Sequence, residues 1–142
     1  MDTINIELDV ARTAGQSDLE FSIRLDGKVV YKLDADADHV KFELDDDQGD
    51  HELVFELAGK QPTHTKIDDQ GRIIEDAVIT VKNITIDDVN VNDIFSEQSK
   101  YQHNFNGTGD RVTERFYDTM GCNGTVTVNF STPIYLWLLE NM

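Results

Sequence analysis

The sequence predicts an all-β domain, an antiparallel β-sandwich or jelly roll of about eight to ten short strands with one short helix near residues 111–120. Three observations carry that prediction. Apolar and polar residues alternate with a period of two in segment after segment, the pattern of a strand buried on one face. Turn residues, Asp-Gly and Asn-Gly among them, separate those segments at short intervals. The longest strand-forming stretch, Ala77 to Phe95 (AVITVKNITIDDVNVNDIF), is rich in Val and Ile, whose branched side chains suit a pleated, half-buried surface.

In chain order, Ile4, Ile6, Leu8 and Val10 mark the first strand, and ARTAGQS after it is a loop. Leu19, Phe21, Ile23 and Leu25 alternate again, and Asp26-Gly27 then predicts a type I′ hairpin into KVVYKL that sets Ile23 opposite Val30 and Leu25 opposite Lys28. Val40, Phe42 and Leu44 form a short strand inside an acidic run, and the turn residues Asp45 to Asp50 predict a second hairpin into HELVFEL at His51–Leu57. From Gly59 to Asp76 the pattern weakens to a long loop carrying a small hairpin, with Ile73-Ile74 as one strand. The apolar phase of the central stretch shifts by one at Lys82-Asn83, which requires a bulge or tight bend, so that one strand becomes two. After YQHNF, Asp110 could cap a helix on which Val112, Phe116, Tyr117 and Met120 recur, with Gly121 as its stop. TVTVNF and a last strand PIYLWLL, apolar on both faces, complete the chain.

Length and composition bound the rest. At 142 residues the chain is the size of a single domain, residues 1–142, with no internal repeat and no linker. Hydrophobic residues make up 39% and prolines number only 2, so the chain folds rather than remaining disordered. The excess of 28 acids over 12 bases, a formal charge of -16, argues against nucleic acid and anionic membranes as partners, since both are bound through clustered Lys and Arg. Cys122 stands alone, which excludes an intrachain disulfide. The amino terminus has no signal-peptide pattern, and the longest carboxy-terminal apolar run is far short of the ~20 residues a bilayer needs. The N-x-S/T patterns at Asn83, Asn106, Asn123 and Asn129 are therefore discounted as glycosylation sites.

Three acidic groups are candidates for a cation. Asp34, Asp36 and Asp38 begin like an EF-hand loop, but His39 stands where the turn glycine belongs and Asp45 where the bidentate Glu belongs. Asp45, Asp46, Asp47 and Asp50 share a tight turn, where such residues are also ordinary turn chemistry. Asp68, Asp69 and Asp76, with Glu75, lie on the long loop before the central stretch, where a rigid scaffold could hold oxygen ligands around calcium, and these are the metal residues expected. Asp87-Asp88, inside the central stretch, would need Lys82, Lys60 or a metal as partner.

Enzymatic signatures are missing: His39, His51, His64 and His103 lack zinc spacing, and there is no GxSxG, P-loop or Cys-His arrangement. A small hydrolase would need two opposed carboxylates, which this excess of acids does not single out. Tyr135 and Trp137, two residues apart on the predicted last strand, form the candidate ligand-binding platform, since flat rings stack on sugars. If instead one face of that strand lies in the core, the other suits a subunit interface.

The succession DGKVV, HELVFELAGK, polar loop, ITIDDVNV, over roughly Leu19 to Phe95, resembles the small calcium-dependent carbohydrate-binding β-sandwich modules. That resemblance implies a cation-assisted sugar site and a surface glycan as partner. The chain departs from those modules in lacking the disulfide they often carry near the ligand loop. The second half, from HNFNGTGDRVTERFYDTM to the end, resembles small virion-associated proteins of tailed phages of marine bacteria, which are similarly acidic. This implies a non-enzymatic virion structural or capsid-decoration role, with other virion proteins or a second copy of the chain as partners and the virion as location.

Overall fold

The computed structural model describes residues 3–13, 19–46, 49–60, 65–104 and 109–141, with the backbone alone at 65, 66 and 73–75. The first half holds β1 (Thr3–Arg12), β2 (Glu20–Leu25), β3 (Lys28–Lys32), β4 (Ala37–Asp45), β5 (Gly49–Ala58), β6 (Thr65–Ile67) and β7 (Ile73–Asp76). The second holds β8 (Ile79–Ile86), β9 (Val89–Asn90), α1 (Asn92–Gln98), β10 (Ser99–His103), β11 (Val112–Glu114), β12 (Thr119–Met120), β13 (Gly124–Thr132) and α2 (Ile134–Glu140). One antiparallel sheet runs β12-β8-β1-β4 with β9 beside β8, a second runs β11-β10-β13-β5-β2-β3, and β6-β7 is a separate hairpin. The all-β sandwich is thus present.

Alternation in the sequence becomes the two inner faces. Ile4, Ile6, Leu8 and Val10 of β1 are at most 1% exposed, and they meet Phe21, Ile23, Leu53, Phe55, Leu57, Val126 and Val128 of the facing sheet in one core. Burial of one such side chain is worth roughly 1.5–3 kcal/mol, so this shared face dominates the stabilisation. The phase shift at Lys82-Asn83 is a bulge within β8, not the division into two strands expected there: Asn83 takes φ 56°, and the register against β1 slips between Glu7 and Asp9 while the strand runs on to Ile86. Both Lys82 and Asn83 face outward, while Ile79, Val81, Ile84 and Ile86 stay inside. At Asp87-Asp88 both φ angles are positive, 48° and 68°, as a two-residue turn between Ile86 and Val89 needs, and Asp tolerates them. Asp87 Oδ1 accepts the backbone N–H of Asn5 at 2.9 Å.

Several local expectations are corrected. The Asp26-Gly27 turn has the expected positive φ angles, 53° and 81°, and pairs Leu25 with Lys28, but a register slip sets Ile23 opposite Tyr31 instead of Val30. The segments β4 and β5 do not form a hairpin: β4 bonds to β1 in one sheet, and β5 to β2 and β13 in the other. The acidic turn between them is therefore a crossover between layers, a distinction that local turn chemistry does not carry.

No helix forms near 111–120. Here β11 adds to β10 at the edge of one sheet, and β12 adds to β8 at the edge of the other. Phe116 and Met120 are buried because the segment crosses the core between the sheets, which places apolar residues four apart without a helix. The last strand expected at Pro133–Leu139 is instead α2, with Ile134, Trp137 and Leu138 buried at the i, i+3, i+4 spacing of a helix face. A short continuous apolar run does not distinguish strand from helix by periodicity. The other helix, α1, buries Phe95 and follows a turn in which Asn90 Oδ1 accepts the Asn92 N–H.

Candidate functional site

The predicted platform of Tyr135 and Trp137 does not exist as a pair. Two residues on a helix are separated by about 200°, so Trp137 is 7% exposed in the core and Tyr135 is 54% exposed on the opposite side. Trp137 stands edge-on to Phe95 at 6.1 Å and to Phe130 at 6.0 Å, tying α1, α2 and β13 together.

What Trp137 does meet is the second acidic group. Asp46, in the crossover, accepts the N–H of Ile134 at 2.9 Å, satisfying one of the unpaired donors at the start of α2. Asp45 closes β4 opposite Thr3, and Asp47 lies outside the described residues. Asp50 lies on β5 opposite Ser131 of β13, and with His51, Asn129, Phe130, Ser131 and Trp137 it lines an open cleft of about 370 Å³. One carboxylate, one carboxamide and one hydroxyl therefore share the cleft with two aromatic side chains.

The cleft wall is held by a chain of hydrogen bonds that the sequence did not signal. Asp26, in the β2–β3 turn, accepts from His51 Nδ1 at 2.8 Å and, through its other oxygen, from the Glu52 N–H at 2.8 Å. Burial opposes ionisation of Asp26, but these two bonds outweigh it and hold the carboxyl below the usual range. The other ring nitrogen, Nε2, pairs with the Thr132 hydroxyl at 3.1 Å. His51 also lies against the Phe130 ring, centroids 5.4 Å apart. Asp, His and Thr in this order resemble a nucleophile relay, but Thr132 is 5% exposed, so the chain fastens β5 and β13 to the β2–β3 turn.

The three predicted metal residues do not converge. Asp68 caps the β6–β7 turn: its Oδ1 accepts the N–H groups of Gln70 and Arg72, and its Oδ2 the Arg72 guanidinium at 2.8 Å. The Arg72 N–H above all lowers the Asp68 pKa. Asp69 is exposed on the same turn, whereas Asp76 lies opposite Thr65 at the other end of the hairpin, roughly 10 Å away by strand rise. There Asp76 accepts from Lys60 Nζ at 2.5 Å. The Glu75 side chain lies outside the described residues. Among those residues no three His, Cys, Asp or Glu side chains gather to hold a metal ion.

A second polar cluster lies on the outer face of the β1 sheet. His39 on β4 reaches Asp9 at 2.6 Å and Glu7 at 3.0 Å, and Asn83 of the bulge donates to Asp9 at 2.8 Å. The Asp9 bond and then the Glu7 bond raise the His39 pKa.

Among the described residues no helix is long and apolar enough to cross a membrane. No protein-family model and no curated protein matches the chain. Among solved structures it is similar to one described as vCBM60 in complex with galactobiose, at 12% identity and a TM-score of 0.45, over 88% of this chain and 98% of that one.

Proposed function

We propose that the protein is a non-catalytic glycan-binding module that takes a saccharide in the cleft between Asp50, Asn129, Ser131 and Trp137. The observation that supports this reading is the composition of the cleft: hydrogen-bonding groups suited to sugar hydroxyls beside two aromatic side chains. The buried hydroxyl of Thr132, which leaves the His51 relay without an accessible nucleophile, supports a binding role over a hydrolytic one. Calcium dependence is the finer form of the reading, and titrations in calcium and in EDTA test it. The experiment is calorimetric titration with a panel of oligosaccharides that includes galactobiose. Binding by the native chain, weakened about tenfold or more in Asn129→Ala and Asp50→Asn, is the expected outcome; tenfold corresponds to about 1.4 kcal/mol. No binding across the panel removes the reading.

A second reading, a virion structural or capsid-decoration protein, is supported by α2. Tyr135, Leu136 and Leu139 are 54%, 58% and 71% exposed and share one face of that helix, the kind of surface that other subunits cover. Under this reading the partners are further copies of the chain or other virion proteins. Light scattering behind size exclusion then shows an assembly that Leu136→Asp with Leu139→Asp dissolves. A monomer at all concentrations removes self-assembly.

A further inference from the structure

Lys60 follows β5, and its side chain is fully shielded from water. A buried ammonium is costly unless every N–H is matched, and here all three are. Lys60 Nζ donates to Asp76 Oδ1 at 2.5 Å, to the Ala77 carbonyl at 2.5 Å and to the Gly121 carbonyl at 2.8 Å. These acceptors come from the end of β7, the β7–β8 connection and the β12–β13 turn, segments joined to Lys60 only through the fold. The backbone of Lys60 is held as well: its N–H donates to Asn123 Oδ1 at 2.8 Å, and its carbonyl accepts from Asn123 Nδ2 at 3.1 Å. One carboxylate and two main-chain carbonyls make an all-oxygen cage, the ligand chemistry of a hard cation.

We infer that this cage is a cation site whose cation is covalently attached. Of the three residues expected to hold calcium, only Asp76 reaches this cage, and there it meets the Lys60 ammonium. Emptied of the lysine side chain, the cage is a receptor for a small primary ammonium, which can supply three N–H donors to the same oxygens. The inference is independent of the glycan reading, because it is read through stability and chemical protection, not through sugar binding.

The test is thermal unfolding of Lys60→Ala with and without propylammonium, with tetramethylammonium, which has no N–H, as the control. The variant is expected to unfold several degrees below the native chain, with part of the loss restored by propylammonium and none by tetramethylammonium. Equal effects of the two cations, or a variant as stable as the native chain, would overturn the inference. Two measurements on chains that keep the lysine stand whether or not Lys60→Ala folds. Under native labelling with an amine-acetylating reagent, Lys60 should stay unmodified while Lys28 and Lys41 react; acetylation at comparable rates counts against a sealed cage. Any calcium-induced change in the native midpoint should persist in Asp76→Asn, because the cage takes no metal. A calcium-induced rise that Asp76→Asn abolishes would place the metal, and not the lysine, in the cage.

Discussion

At its Gly49 end β5 shares an open cleft with Trp137 of α2 and keeps Asp50 in water; beyond its Ala58 end the same strand runs into Lys60, whose side chain has no exposure at all. The first end is closed by aromatic rings and a titratable relay, the second by one charge inside a shell of oxygens. Packing of rings leaves polar groups at the rim free to meet a ligand. A buried ion pair leaves none, because every donor is committed. One strand thus separates a face that can bind from an anchor that cannot.

The largest effect expected on this contrast comes from Trp137→Ala, which removes the ring between Phe95 and Phe130 and should cost about 3–5 kcal/mol in urea unfolding. A much smaller loss would mean that α2 does not depend on its own anchor. At the opposite end Lys60→Ala should cost about 3 kcal/mol, the low end for breaking a buried pair, since the Asp76 side chain is 29% exposed and keeps some access to water. Gly124→Ala tests the sheet near that end. Gly124 lies between Leu57 and His103, and an added methyl group would fall on the Gln102 carbonyl, so a loss of about 1–3 kcal/mol is expected. Asp46→Ala strips the start of α2 of its acceptor and should cost about 0.5–2 kcal/mol, read as a lower denaturant midpoint with unchanged slope.

Smallest is the pH response of the cleft end. Asp26 has a folded pKa below its unfolded value of 3.8, so its contribution is complete above that value and lost as pH falls through the lower folded one. Asp26→Asn should flatten the acid limb of the Tm profile below about pH 4 and leave the neutral region parallel to the native curve. An unchanged acid limb would detach Asp26 from the His51 relay.

Legibility follows the range of the signal. The strands β1 and β2 are plain in the sequence because every second residue enters the core, and the Lys82-Asn83 kink shows as a lost phase. Which sheet a strand joins is a long-range fact, so β4 and β5 read as a hairpin although they lie in different layers. Phe116 and Met120 imitate a helix for the same reason, as two core contacts made by a segment in transit. Of the candidate site residues, Asp50 and Trp137 come together, brought by a helix that the apolar run PIYLWLL disguised as a strand. The relay of Asp26, His51 and Thr132 spans more than 100 positions, and its only local trace is the Asp-Gly turn.

Among the described residues the order of the sheets leaves β4 at a border, and a strand border can template a strand from another molecule. That border carries Asp38, Glu43 and Asp45 facing solvent against one exposed lysine, Lys41, with Asp36 just before it, on a chain of net charge -16. Two copies approaching border to border bring these carboxylates together before any main-chain bond can form. The acidity that earlier served only to exclude nucleic acid is thus a guard against fibrous aggregation. Screening weakens that guard, so salt, which leaves the core intact, is the condition under which copies of this chain should begin to add strand to strand.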